Sequence, residues 1–262
     1  AAVALARPQR IAAVSGDDGR GVDIMLTVDS SLSMNAMDFK PSRLAVARDI
    51  AKDFVRGRVS DRIGLVTFGG APLLACPATV DYAALIERID ELEAGMTRTD
   101  GTALGDGLAS AVRRLREGAA KSKVVVLLTD GRSNTGAVDP LTAAKAAAAL
   151  GVKVYAIGTA GRGPALMPVD DPRLGRTVVQ INDDLDEELL ADIARITGAK
   201  AYRAKNRDEL ADVFAQIDRL EKSEVRRPDL AAVADLHAWP LGSALVLLLL
   251  EAALAATALL RW

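Results

Sequence analysis

Val22-Asp23-Ile24-Met25-Leu26-Thr27-Val28-Asp29-Ser30-Ser31-Leu32-Ser33 is a mostly apolar run that stops at an acid followed by hydroxyls. Val22 to Val28 reads as a buried strand, since a short apolar stretch bounded by turn residues is what a strand covered on both faces requires. The same pattern recurs where Val124 to Leu128 runs into Thr129-Asp130-Gly131. Between them stands Gly101-Thr102-Ala103-Leu104-Gly105. Taken singly, an Asp-x-Ser-x-Ser or a Thr-Asp-Gly is also what a plain turn or helix cap uses. Taken together, at strand ends, the three segments form an all-oxygen donor set of the kind a hard divalent cation such as Mg2+ prefers. The glycines of Gly101 to Gly107 do not make a phosphate loop, because no strand precedes them and no Gly-Lys-Ser/Thr follows.

Outward from these segments, strand and helix periods alternate. Pro41 to Val55 reads as a helix with Pro41 in its first turn. Asp61 to Phe68 is strand-like, and Pro72 to Cys76 reads as an antiparallel partner across Gly69-Gly70. Asp81 caps a helix with Tyr82, Leu85, Ile86, Ile89 and Leu92 at helical spacing. A helix over Leu104 to Leu115, a strand over Lys123 to Leu128, a helix over Pro140 to Leu150 and a strand over Val152 to Ile157 follow. Gly158 to Thr177 reads as a long irregular excursion or a small hairpin. A helix over Asp184 to Thr197, a strand over Lys200 to Arg203 and a helix over Asp208 to Leu220 complete the pattern. The expected fold is α/β: a doubly wound, mostly parallel, six-stranded sheet with helices on both faces. In such sheets ligands sit beyond the carboxyl ends of strands where the strand order reverses. Asp29 and Asp130 stand at strand ends of that kind.

Composition removes several alternatives. The chain has 262 residues, a net charge of -2, one cysteine and one histidine. A single cysteine allows no internal disulfide, and Cys/His zinc sites lack ligands. His237 lies beside the C-terminal apolar segment, so no Ser-His or Cys-His pair forms in the globular part. Cys76 reads as a small strand residue. The basic residues form no stripe, which excludes a nucleic-acid surface.

The three segments resemble the von Willebrand factor A (VWA) domain and its metal-ion-dependent adhesion site, MIDAS. Matched residue by residue, the resemblance implies Asp29, Ser31, Ser33, Thr102 and Asp130 as ligands of Mg2+, with Mn2+ an alternative. Leu32 replaces the family's usual glycine between the serines. The likeness spans Val22 to about Leu220. It is closer to the membrane-anchored bacterial Bat (aerotolerance) proteins of the BatA and BatB type. The residues carrying it are Ala6-Arg7-Pro8-Gln9, Met37-Asp38-Phe39-Lys40-Pro41-Ser42-Arg43-Leu44, Asp100-Gly101-Thr102, Asp139 to Ala144 and Ile217 to Ser223. The apolar helix after Trp239 belongs to the same likeness. It implies a MoxR-type AAA+ ATPase and other Bat proteins as partners, and a bacterial inner-membrane location.

The chain ends agree with that expectation. Leu241 to Leu260 carries one charge, Glu251, and is long enough to cross a hydrocarbon layer as a helix. Trp239 and Trp262 would lie about 35 Å apart on it, near the two interfaces. An acid near mid-membrane costs roughly 2.5–3.5 kcal/mol, so Glu251 either contacts another membrane helix or is tolerated in a strongly apolar one. The expected organisation is therefore 1–10 as the end of an upstream membrane helix, 20–221 as the VWA domain, 222–238 as a linker and 239–262 as a transmembrane helix. Lys222, Arg226 and Arg227 against Arg261 favour a cytoplasmic domain by charge. The family's upstream arginine-rich loop favours the extracytoplasmic side, which is the side expected here.

Other clusters read structurally. Asp183, Asp184, Asp186, Glu187 and Glu188 complement a helix N-terminus. Arg132 and Ser133 form either a partner-contact rim or a plain exposed turn. No base or nucleophile accompanies the oxygen cluster, so a binding role rather than an enzymatic one is expected, with a partner's acidic side chain completing the metal shell. The alternatives are a Mg2+-dependent phosphotransferase on a similar sheet and a scaffold with a vestigial metal site.

Overall fold

Alternation along one strand sets the layers. In β1 (Val22–Asp29), Ile24, Leu26 and Val28 face one side while Met25 faces the other, and the whole strand is buried. The neighbouring strands repeat the alternation, so each face needs its own cover of helices. These relations come from a computed structural model that describes residues 9–10, 21–118, 120, 122–161, 163–171, 175–182, 185–221, 234–235 and 250–252.

The strands β2 (Arg62–Phe68), β3 (Pro72–Thr79), β4 (Ser122–Thr129), β5 (Val152–Thr159) and β8 (Ala201–Ala204) join β1 in a six-stranded sheet of order β3-β2-β1-β4-β5-β8. All neighbours run parallel except β3, which lies antiparallel on β2 with a register shift. The chain first builds leftward from β1, then returns to β1's other side with β4. The strand order therefore reverses between β1 and β4, and their carboxyl ends open a crevice there.

One face is covered by α1 (Arg43–Arg56), α2 (Tyr82–Asp90) and α6 (Arg207–Glu221), the other by α3 (Leu104–Arg116), α4 (Pro140–Ala149) and α5 (Glu187–Ile196). Each buried Leu or Ile of these faces contributes about 1.5–3 kcal/mol. The helix starts are chemically marked. Asp81, Asp139 and Asp186 accept from Ala84 N, Thr142 N and Leu189 N at 3.1, 2.8 and 3.0 Å. Pro41 lies outside its expected helix: Ser42 is the cap, accepting from Ala45 N at 3.2 Å, and the helix begins at Arg43. The antiparallel edge strand runs to Thr79, past its expected end at Cys76. The excursion after β5 is a two-stranded hairpin, β6 (Ala165–Asp171) with β7 (Gly175–Ile181).

At the amino ends of the strands, Glu221 closes α6 against the sheet. Its carboxylate accepts from Ser122 Oγ at 3.2 Å, Lys153 Nζ at 2.7 Å and Tyr155 OH at 2.6 Å.

Residues Gly19–Ser223 form one compact unit, and Ala1–Asp18 with Glu224–Trp262 a second. In the second, Gln9–Arg10 pairs antiparallel with Ala234–Asp235, and residues 250–252 are helical. The expected upstream helix end over Ala1 to Ala6, the linker residues Lys222, Arg226 and Arg227, and most of Leu241 to Leu260 fall outside the described residues. Among the described residues no helix is long and apolar enough to cross a membrane.

Candidate metal centre

The abrupt change from strand to hydroxyls at Asp29 produces a tight turn. Asp29 Oδ1 accepts from Ser31 N at 2.8 Å, and Ser30 N donates to Phe68 O at 2.6 Å across the sheet. Leu32–Asn35 is a short 3-10 turn whose Met34 is fully buried and receives the Thr159 hydroxyl at 3.8 Å on sulfur. That buried anchor holds Ser33 in place. Ser33 Oγ in turn donates to Asp130 Oδ1 at 2.8 Å, and Ser31 Oγ and Ser33 Oγ lie 3.0 Å apart. Four of the expected ligands, Asp29, Ser31, Ser33 and Asp130, thus belong to one hydrogen-bonded cluster at the β1/β4 crevice.

Thr102 is delivered by backbone. Ala103 N donates to Gly69 O at 2.7 Å, Thr102 N to Asn134 Oδ1 at 2.8 Å, and Asn134 N to Thr102 O at 3.1 Å. This pins the loop between the ends of β2 and β4. Gly101 is required twice over, since its φ is +99° and a methyl there would fall 2.8 Å from Asn134 Oδ1 and from Thr135 Cγ2. Thr102 is buried, while Arg132 is exposed and Ser133 half-buried on the turn after Asp130.

The electrostatics leave a deficit of positive charge. Asp29 is fully buried; Ser31 N donates to its Oδ1, Thr129 Oγ1 donates to its Oδ2 at 2.7 Å, and the Ser31 hydroxyl adds to this neutral support. Burial first, and then the neighbouring Asp130 carboxylate, push its pKa up to about 7. Burial also raises Asp130, against the opposing pull of Arg43 and Ser33. Two buried carboxylates with serine and threonine hydroxyls close by, and no basic residue on Asp29 among the described residues, fit a hard divalent cation. Among the described residues no group of three or more His, Cys, Asp or Glu could hold a metal. A cation here would therefore depend on the hydroxyls.

Three participants have no counterpart in the expected ligand set. Thr129 supports Asp29 from the last position of β4. Arg43, 2% exposed, donates through Nη1 to Asp130 Oδ2 at 2.9 Å. Asp38 binds Arg43 through both carboxylate oxygens, at 2.8 Å to Nε and 2.7 Å to Nη2, and accepts from Gly161 N at 2.8 Å. Burial alone would raise Asp38, but the Arg43 guanidinium and the Gly161 amide hold it below its usual value. Among the acids read as helix-complementing, Asp186 is the cap of α5 and Glu187 pairs with Arg203. Asp183 and Asp184 lie outside the described residues. Glu251 is exposed.

The mouth of the cluster has apolar edges. Leu32 is 51% exposed, between two serines of the cluster, and Leu166 of the hairpin is 53% exposed. Met37, 39% exposed, joins the two regions by donating its N–H to Leu166 O at 2.9 Å.

An α/β sheet with an oxygen cluster at its switch point defines a class of binding domain, and the match is specific. The chain belongs to the von Willebrand factor type A domain family, which residues 23–216 match. A UPF0353 protein of Nocardia farcinica is 30% identical over 223 residues, covering 79% of this chain and 65% of that relative. The chain thus spans less than two thirds of that relative's length. The crystal structure of the conserved hypothetical protein BatB from Bacteroides thetaiotaomicron is similar, with a TM-score of 0.67 and 26% identity over 78% of this chain and 100% of that one. An aerotolerance-related membrane protein from Bacteroides fragilis gives a TM-score of 0.65 and 25% identity over 75% and 98%.

Proposed function

We propose that this chain is a membrane-tethered VWA module that captures protein partners through a divalent cation, Mg2+ or Mn2+, held by Asp29, Ser31, Ser33, Thr102 and Asp130. The observation that carries the reading is Asp29: a buried carboxylate beside a second one, with no basic partner among the described residues and hydroxyls close by. A bound cation would supply a positive centre for an acidic side chain. The hydroxyls add no charge of their own, so the ion's field would persist toward the crevice. Leu32, Met37 and Leu166 would receive apolar neighbours of that acid, and exposed Arg132 would favour acidic ones. The likeness to Bat-type proteins supports a membrane setting. We further propose a MoxR-type AAA+ ATPase and other Bat proteins as the partners, and the extracytoplasmic side for the domain.

A phosphotransferase has less support. Such an enzyme needs a lysine or arginine at a neighbouring strand end, whereas Lys153 lies at the amino end of β5 and is engaged with Glu221. Arg43 is near the cluster, but its guanidinium is committed to Asp38 and Asp130. The deciding experiment is affinity purification from membranes in Mg2+ and in chelator, with Asp29→Ala alongside. Partner capture lost in chelator and in the variant supports the reading; capture retained in both overturns it. A scaffold with a vestigial site predicts no stabilisation by Mg2+.

A further inference from the structure

Arg43 brings a permanent positive charge to the floor of the oxygen cluster, and its placement is over-determined. The guanidinium is buried, bonded to Asp130 Oδ2 on one side and gripped by both oxygens of Asp38 on the other. Asp38 is itself fixed by Gly161 N at the foot of the hairpin. The Asp38–Arg43 pair is neutral as a whole, but its positive end is the one against Asp130. Asp130 therefore meets the cluster with Oδ2 already occupied and much of its charge already answered.

Resting on the metal reading above, we infer that Arg43 is a positioning residue and resident counter-cation that weakens the cluster's own hold on a divalent ion. The physics has one sign. A fixed cation a few ångströms from a divalent ion repels it, strongly so where little water screens the pair. In return, an ion that does bind keeps more of its positive field for the carboxylate of a partner. Asp38 moderates the effect, because its charge offsets that of Arg43. Among the described residues, no hydrogen bond of the sheet ladder and none donated by a cluster hydroxyl is made to Arg43 itself; Ser33 bonds to Asp130 through the other carboxylate oxygen.

The test is Mn2+ binding to the purified 262-residue chain and to R43M, R43K and D38N, measured by calorimetry or by the paramagnetic resonance of free Mn2+. The expected result is that R43M binds Mn2+ about tenfold more tightly or better, as removal of a near cation requires. R43K, keeping the charge, should stay within about threefold of the parent. D38N, leaving Arg43 without its offset, should bind more weakly. A purely structural role for Arg43 would loosen the cluster and weaken binding in R43M, so equal or weaker binding by a folded R43M overturns the inference. If R43M does not fold, D38N with unchanged or tighter binding overturns it just as well. Absence of Mn2+ binding by all four proteins would instead overturn the metal reading beneath it.

Discussion

Ser33 donates its hydroxyl proton to Asp130 Oδ1 at 2.8 Å, across 97 positions of chain. This bond joins the loop after β1 to the end of β4, and it does so with the two oxygens assigned to one metal. Replacing Ser33 by Ala should therefore cost little stability, about 1 kcal/mol, while lowering Mg2+ or Mn2+ affinity by about tenfold or more through the loss of a ligand oxygen. Thermal melting with and without the ion separates the two effects. A variant still stabilised by Mg2+ as the parent is would remove Ser33 from the ligand set.

Asp29 predicts an unusual pH response. Burial and the neighbouring Asp130 push its pKa from the ordinary 3.8 up to about 7. Between those values the folded chain holds a proton that the unfolded chain releases. Unfolding free energy from this group therefore falls as pH rises through the window, by up to about 1.4 kcal/mol per pH unit. In chelator, Asp29→Asn should melt at or above the parent temperature at pH 7.5, with a flatter pH profile from 4 to 7. Mg2+ should raise the melting point of the parent at pH 7.5 and leave that of the variant alone. A parent and variant with parallel profiles would contradict the buried, uncompensated acid.

Leu32 predicts a division of labour at the mouth. It is exposed and lies over Gly95, where a methyl would fall 3.0 Å from Leu32 Cδ2. Leu32→Asp should change stability by no more than about 0.5 kcal/mol but weaken partner capture by about 1–3 kcal/mol, the range of a buried interface anchor. Pull-down yields at fixed Mg2+ test this, with the metal-induced melting shift as the control.

Gly105 predicts a steric limit behind the site. A methyl on this residue of α3 would fall 1.9 Å from the Val138 carbonyl oxygen and 2.9 Å from Pro140 N. Backbone cannot yield as a side-chain tip can, so Gly105→Ala should destabilise by about 1–3 kcal/mol. The strain lands on the loop that leads from Asp130 to α4, so metal affinity should fall as well. Denaturant midpoints and Mn2+ titration of the variant check both outcomes.

Much of this architecture was readable from local pattern. Strands β1 and β4 declare themselves because each is a buried apolar run closed by an acid, and the alternation of strand and helix implies a parallel sheet with the crevice at Asp29 and Asp130. Asp81 marks its helix for the same local reason. The Asp38–Arg43–Asp130 chain was not readable in this way. Its members are 87 positions apart at one end, and an Asp followed five residues later by an Arg ahead of a helix looks like any solvated pair. Ser42 rather than Pro41 marks the start of α1, as the cap ahead of Arg43, because a hydroxyl can accept Ala45 N whereas proline offers no side-chain acceptor. The role of Thr129 is not legible in the sequence, because a threonine ending a strand is common and only the fold turns its hydroxyl to Asp29.

Glu221 gives the domain a direction. The chain joins the sheet at Val22, beside Ser122, and α6 is fastened by Glu221 to Ser122, Lys153 and Tyr155 at the same pole. The cluster stands at the opposite pole, one eight-residue strand away, or about 26 Å at 3.3 Å per residue. Anything gripping the cluster therefore pulls along the strands against both chain connections. That geometry loads the lateral hydrogen bonds of β1, β4 and β5 together, in shear, instead of opening them one after another.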